Sequence, residues 1–152
     1  HARMVKVFMK YYDADPATLT VLYPNLRALL DKLKAEGRKM AVCTNKPEAP
    51  AREILRLLDA EHYFEVLVGG DTMPTHKPDP APLHECLRQM GVETCLYVGD
   101  SEVDAETADR AKMTMALFTA GYRKTPVEQL PHDFAFGDFA ELGPYIEEMD
   151  KK

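Results

Sequence analysis

Short apolar runs alternate with segments of helical spacing along most of this chain, and that alternation restricts what it can fold into. The runs are Met40–Cys43 and residues 64–68, 95–98 and 115–118, with a weaker one at Phe134–Phe136. Between them, Leu26, Leu29, Leu30 and Leu33 recur at i, i+3, i+4 and i+7, with Pro24 near the start and Gly37 just past the end. Leu83, Cys86, Leu87 and Met90 repeat the spacing before Gly91, and Leu142, Tyr145, Ile146 and Met149 repeat it again. Less regular helices are predicted over residues 47–58 and 102–112. Short apolar strands separated by helices imply βαβ units, hence an α/β fold with a parallel sheet covered on both faces. In such sheets ligands bind beyond the carboxyl ends of the strands, so the polar residues that follow each strand carry the chemistry.

A length of 152 residues suits one compact domain. The 25 acidic residues outnumber the 19 basic ones, for a net charge of −6. That excess argues against a nucleic-acid partner, which needs clustered Lys and Arg. No apolar run approaches the roughly 18–20 residues of a membrane span, so no membrane partner is expected. Cys43, Cys86 and Cys95 lack C-x-x-C spacing and fall in two predicted strands and on one apolar helix face. They read as buried thiols, which suits a cytoplasmic location.

Three strand ends stand out. Thr44-Asn45-Lys46-Pro47 offers a hydroxyl, an amide and a helix N-terminus, which together suit a phosphate oxygen; a plain helix cap is the alternative. Gly69-Gly70-Asp71 leads to Lys77-Pro78-Asp79-Pro80, where a proline-framed lysine can balance the charge of phosphate and carboxylates; an exposed loop lysine is the alternative. Gly99-Asp100-Ser101-Glu102-Val103-Asp104 puts two carboxylates one helical turn apart, a donor set that suits Mg²⁺. There the alternative is that Asp100 or Ser101 caps a helix whose first turn favours acids. Tyr122, Arg123 and Lys124 follow another strand end and read as an ordinary surface loop.

Taken together, these segments closely resemble the haloacid-dehalogenase-like phosphatases, and among them the phosphoglycolate phosphatases. Tyr23-Pro24-Asn25 and residues 33–37 support the resemblance, which runs from about Tyr11 to Tyr145. It implies a three-layer Rossmann-like core over residues 21–152, with residues 1–20 as the end of a helical cap and its linker. It also implies hydrolysis of a small phosphorylated substrate, 2-phosphoglycolate above others, through a phospho-aspartate. Asp100 and Asp104 would serve a Mg²⁺ cofactor, Thr44, Asn45 and Lys77 would bind the phosphate, and Thr44 and Lys77 would act in catalysis.

The resemblance also implies something this sequence does not show: a central strand ending in Asp-x-Asp-Gly-Thr, whose first aspartate is the nucleophile. Tyr12-Asp13-Ala14-Asp15-Pro16 imitates it. However, Val5, Phe8 and Tyr12 have helical spacing, Lys10 interrupts any strand core, and Pro16 removes a backbone donor where phosphate would bind. Residues 4–12 therefore read as the end of a helix, the central strand as missing, and this chain alone as inactive. The expectation is a longer protein with roughly 60–80 further residues, judged from ordinary domain sizes. The rival readings are a phosphosugar mutase or dehalogenase of the same superfamily, a non-catalytic pseudo-phosphatase or interaction module, and a dinucleotide-binding domain. The last lacks any G-x-G-x-x-G after a strand.

Overall fold

A computed structural model describes residues 4–7, 22–120 and 124–151. The described residues form six strands and five α-helices, which alternate up to β5: β1 Met4–Val7, α1 Leu26–Ala35, β2 Met40–Cys43, α2 Glu48–Leu57, β3 Val66–Val68, α3 Ala81–Met90, β4 Cys95–Gly99, α4 Glu102–Ala111, β5 Thr114–Phe118, β6 Phe134–Phe136 and α5 Leu142–Asp150. The strands form one sheet in the order β3-β2-β1-β4-β5-β6, and every neighbouring pair is parallel.

Strand alternation sends side chains to two cores. Val42, Leu67, Leu96, Val98, Ala116 and Phe118 face one side with α1, α2 and α5. Ala41, Cys43, Val66, Val68, Tyr97 and Leu117 face the other with α3 and α4. The predicted helical stripes are the buried ones: Leu26, Leu29, Leu30 and Leu33 in α1, and Leu83, Cys86, Leu87 and Met90 in α3. All three cysteines are buried, two in strands and one in a helix. Among the described residues, no helix is long and apolar enough to cross a membrane.

One expectation is corrected. Met4–Val7 is not the end of a helix but strand β1, in the middle of the sheet, and the central position is filled rather than missing. Val5 pairs with Met40 of β2 and Leu96 of β4, and Val7 pairs with Val98. The cause is the sheet itself. With that place vacant, β2 and β4 would present unpaired N–H and C=O groups inside an apolar cleft. A four-residue segment with two valines satisfies both ladders, and pairing overrides a helical spacing carried by so few residues. The rest of the segment assigned to cap and linker, with Asp13 and Asp15, lies outside the described residues.

Proline at a central strand removes a ladder donor that the neighbouring strand needs. Val5→Pro is therefore expected to cost on the order of 2–3 kcal/mol in urea unfolding. Leu57→Ala, at a side chain 65% exposed, should stay within about 0.5 kcal/mol of wild type. A Val5→Pro protein as stable as wild type would contradict the placement of β1.

Candidate active site

The loops after β2, β3 and β4 meet at the carboxyl rim of the sheet because glycines let them. A Cβ on Gly70 would lie 2.1 Å from the Asn45 carbonyl oxygen, and one on Gly69 would lie 2.5 Å from the Glu48 nitrogen. These residues let the turn after β3 press against the turn after β2, where the Gly70 N–H donates to the Lys46 carbonyl at 2.8 Å. Asp71 then reaches across and accepts the Glu48 N–H at 2.8 Å, supplying a cap to α2 from a distant part of the chain.

That contact settles the capping alternative for the Thr44-Asn45 pair. The N-cap position of α2 is Pro47, which has no side-chain cap bond. Thr44 extends the β2 ladder, its N–H donating to the Val68 carbonyl at 3.0 Å, while its Oγ1 accepts the Lys46 N–H at 3.1 Å. The Asn45 amide grips the backbone of Lys77 twice: its Nδ2 donates to the Lys77 carbonyl and its Oδ1 accepts the Lys77 N–H, both at 2.9 Å. Asn45 therefore fixes the loop that carries the lysine.

Lys77 is 3% exposed, so the reading of it as an exposed loop lysine does not hold. Its Nζ donates to Asp104 Oδ1 at 2.6 Å and to the Tyr97 hydroxyl at 2.9 Å. The Tyr97 hydroxyl in turn donates to the same Asp104 oxygen at 3.1 Å, which closes a buried triangle. Asp104 is wholly buried, and its Oδ2 accepts the Asp100 N–H at 3.1 Å, the Ser101 N–H at 3.3 Å and the Ser101 hydroxyl at 3.0 Å. Burial pushes the Asp104 pKa up. The Lys77 charge and the hydrogen bonds from Lys77, the Asp100 amide and Ser101 outweigh burial and hold it below the ordinary aspartate value. For Tyr97, burial first and the Asp104 charge second push the phenol well above its ordinary value.

Of the two carboxylates read from the sequence as serving a metal, Asp104 has both oxygens engaged in this framework. Ser101, not Asp100, caps α4, in a capping box with Asp104. Asp100 is left at the strand end itself, 2% exposed. It borders a small cavity of about 10 Å³ walled by Tyr23, Leu26, Val98, Phe118 and Phe139. That is room for one water, not for an organic substrate. Gly99 lets α4 come this close, since a Cβ there would lie 2.5 Å from that of Asp104.

Among the described residues, no three His, Cys, Asp or Glu side chains are grouped to hold a metal ion. Mg²⁺ does not require such a cage: it takes one or two carboxylates and completes its shell with phosphate oxygens and water. A hard carboxylate at Asp100, whose N–H is bonded to the same Asp104 that pairs with Lys77, fits that demand in kind. Sequence reasoning missed Tyr97, which reads as one more apolar residue of β4. The available signal was period 2: Tyr97 shares a face with Cys95 and Gly99, the side that meets Lys77 and Asp104.

The family model of haloacid dehalogenase-like hydrolases matches residues 1–118, so the chain belongs to that family. It is 50% identical over 135 residues to a phosphoglycolate phosphatase of Cereibacter sphaeroides (strain ATCC 17029 / ATH 2.4.9), covering 89% of this chain and 62% of that protein. It is 40% identical over 140 residues to a phosphoglycolate phosphatase of Aquifex aeolicus, covering 91% and 65%. The crystal structure of a predicted phosphoglycolate phosphatase from Haemophilus somnus 129pt superposes with a TM-score of 0.81 at 35% identity, over 85% of this chain and 59% of that one. The chain thus spans a little under two-thirds of the length of these relatives.

Breaking a buried ion pair leaves a charge without compensation, which costs about 3–5 kcal/mol. Lys77→Met and Asp104→Asn should each lose about that much, and the double variant far less than the sum, in a urea double-mutant cycle. Additive losses would contradict the coupling. The pH dependence carries a sign. Because the folded Asp104 pKa lies below the ordinary 3.8, its contribution is full above that value and is lost as pH falls below it. The stability gap between wild type and Lys77→Met should therefore shrink on acidification below about pH 4. A gap that stayed constant to pH 2 would count against it.

Proposed function

We propose that this core serves the Mg²⁺-dependent hydrolysis of a small phosphomonoester, with 2-phosphoglycolate as the first candidate. The observation that carries the reading is the bond from Lys77 to Asp104. It joins the loop after β3, whose backbone Asn45 grips, to the first turn of α4, where Asp104 also accepts the Asp100 N–H. A phosphoryl group bound there would take a hydrogen bond from the Thr44 hydroxyl, whose oxygen already accepts the Lys46 N–H. Lys77 would balance its charge. Asp100 would hold Mg²⁺, which supplies Lewis-acid polarisation of the phosphoryl oxygens. Asp104 would support both, and Asn45 would act on phosphate chiefly by fixing Lys77. The partners in this reading are a small phosphorylated substrate, with no nucleic acid or membrane, and the buried thiols suit the cytoplasm.

The chemistry also needs a carboxylate nucleophile in line with the phosphorus. In sequence, the residues that directly follow β1 are Phe8, Met9 and Lys10, none of which is acidic. That favours a second reading for these 152 residues taken alone: a phosphate- and metal-binding scaffold without turnover.

Purified chain mixed with Mg²⁺ and 2-phosphoglycolate is expected to release phosphate at the background rate only. In titration calorimetry it should still bind Mg²⁺, and Asp100→Asn should weaken that binding at least about tenfold, or about 1.4 kcal/mol. Release that depends on Asp100 would overturn the inactivity of the chain. Equal Mg²⁺ binding by wild type and Asp100→Asn would overturn the role of Asp100.

A further inference from the structure

Glu102 opens α4, two residues past Asp100, and is not its N-cap residue. The Ser101–Asp104 capping box already satisfies that terminus. The Glu102 carboxylate instead reaches to the segment after β5, where its Oε1 accepts the N–H of Lys124 at 2.6 Å and that of Thr125 at 2.7 Å. Two consecutive backbone donors converge on one charged oxygen, an arrangement that fixes a loop far more firmly than solvated backbone does. Both ends of the contact lie at the site's rim. β5 is the neighbour of β4, with Leu117 level with Gly99, and Lys124 is exposed.

We propose that Glu102 is a positioning residue: it latches the Lys124-Thr125 backbone onto the first turn of α4 and so fixes one wall of the rim beside Asp100. The importance of that wall to phosphate rests on the phosphatase reading, whereas the latch rests on the two hydrogen bonds alone. Because the cap of α4 does not use Glu102, its removal should free the loop without unfolding the helix.

Amide hydrogen exchange followed by NMR tests this on the whole chain. In Glu102→Ala the amides of Lys124 and Thr125 should exchange at least about tenfold faster, given the loss of a charged acceptor. Glu102→Gln, which keeps a neutral acceptor in place, should fall between wild type and Glu102→Ala. Glu106→Ala, which removes only an exposed pair with Arg110, should leave both amides unchanged. Trypsin should nick the Lys124-Thr125 bond faster in Glu102→Ala than in wild type. Unchanged exchange at both amides in Glu102→Ala and Glu102→Gln would overturn the latch. So would equal acceleration in Glu106→Ala. Failure of Asp100-dependent Mg²⁺ binding would count against the phosphatase reading instead, and the exchange result alone decides the latch.

Discussion

A lysine ammonium and an aspartate carboxylate, both almost wholly removed from water, hold the carboxyl rim of this sheet together. Taking two charges out of water costs several kcal/mol each, and the attraction offsets that only when the remaining donors and acceptors are filled. Here they are filled. Lys77 has Tyr97 as a second partner, and Asp104 accepts from five donors, the Tyr97 hydroxyl and Ser101 hydroxyl included. An apolar pair of similar volume would stabilise the fold at least as well. What the charged pair adds is placement, since a cation fixed between strand ends can meet a phosphate without first being ordered.

The rest of the architecture delivers residues to that point. Parallel strands align their carboxyl ends, glycines at 69, 70 and 99 remove the Cβ atoms that would hold the loops apart, and β1 closes the ladder between β2 and β4. Support passes through backbone as much as through side chains. Asn45 fixes Lys77 by its main chain, Asp71 caps a helix 23 positions earlier, and Asp104 anchors the amides of Asp100 and Ser101. Hydrogen bonds therefore run without a break from the β2 turn to the β4 turn, and a disturbance at one is felt at the other.

Much of this was legible in the sequence because it rests on local patterns. Strands β2 and β6 begin and end where the apolar runs do, and the leucine stripe of α1 is its buried face. Helical spacing misled at Met4–Val7, because the vacancy that decides its conformation is made by strands 35 and 91 positions away in sequence. The placement of Thr44, Lys77 and Asp100 at successive strand ends followed from the alternation of elements. Asn45 reads as a phosphate ligand in sequence and Asp104 as support for the metal shell; the groups they touch, the Lys77 backbone and the Lys77 ammonium, are set by partners distant along the chain. Tyr97 was invisible for a related reason: a hydroxyl inside an apolar strand is ordinary until a buried lysine is placed against it.

Mapping where an anion lands tests the whole account most directly. Orthophosphate titrated into ¹⁵N-labelled chain with Mg²⁺ should shift the amides of Thr44, Asn45, Lys77, Asp100 and Ser101 together, with one shared dissociation constant. The basic residues at the opposite end of the sheet, Lys34, Arg38 and Lys39, should not move. Shifts confined to those three, or no shift in the Thr44 and Asp100 turns at saturating phosphate, would contradict a single phosphate site at the carboxyl rim.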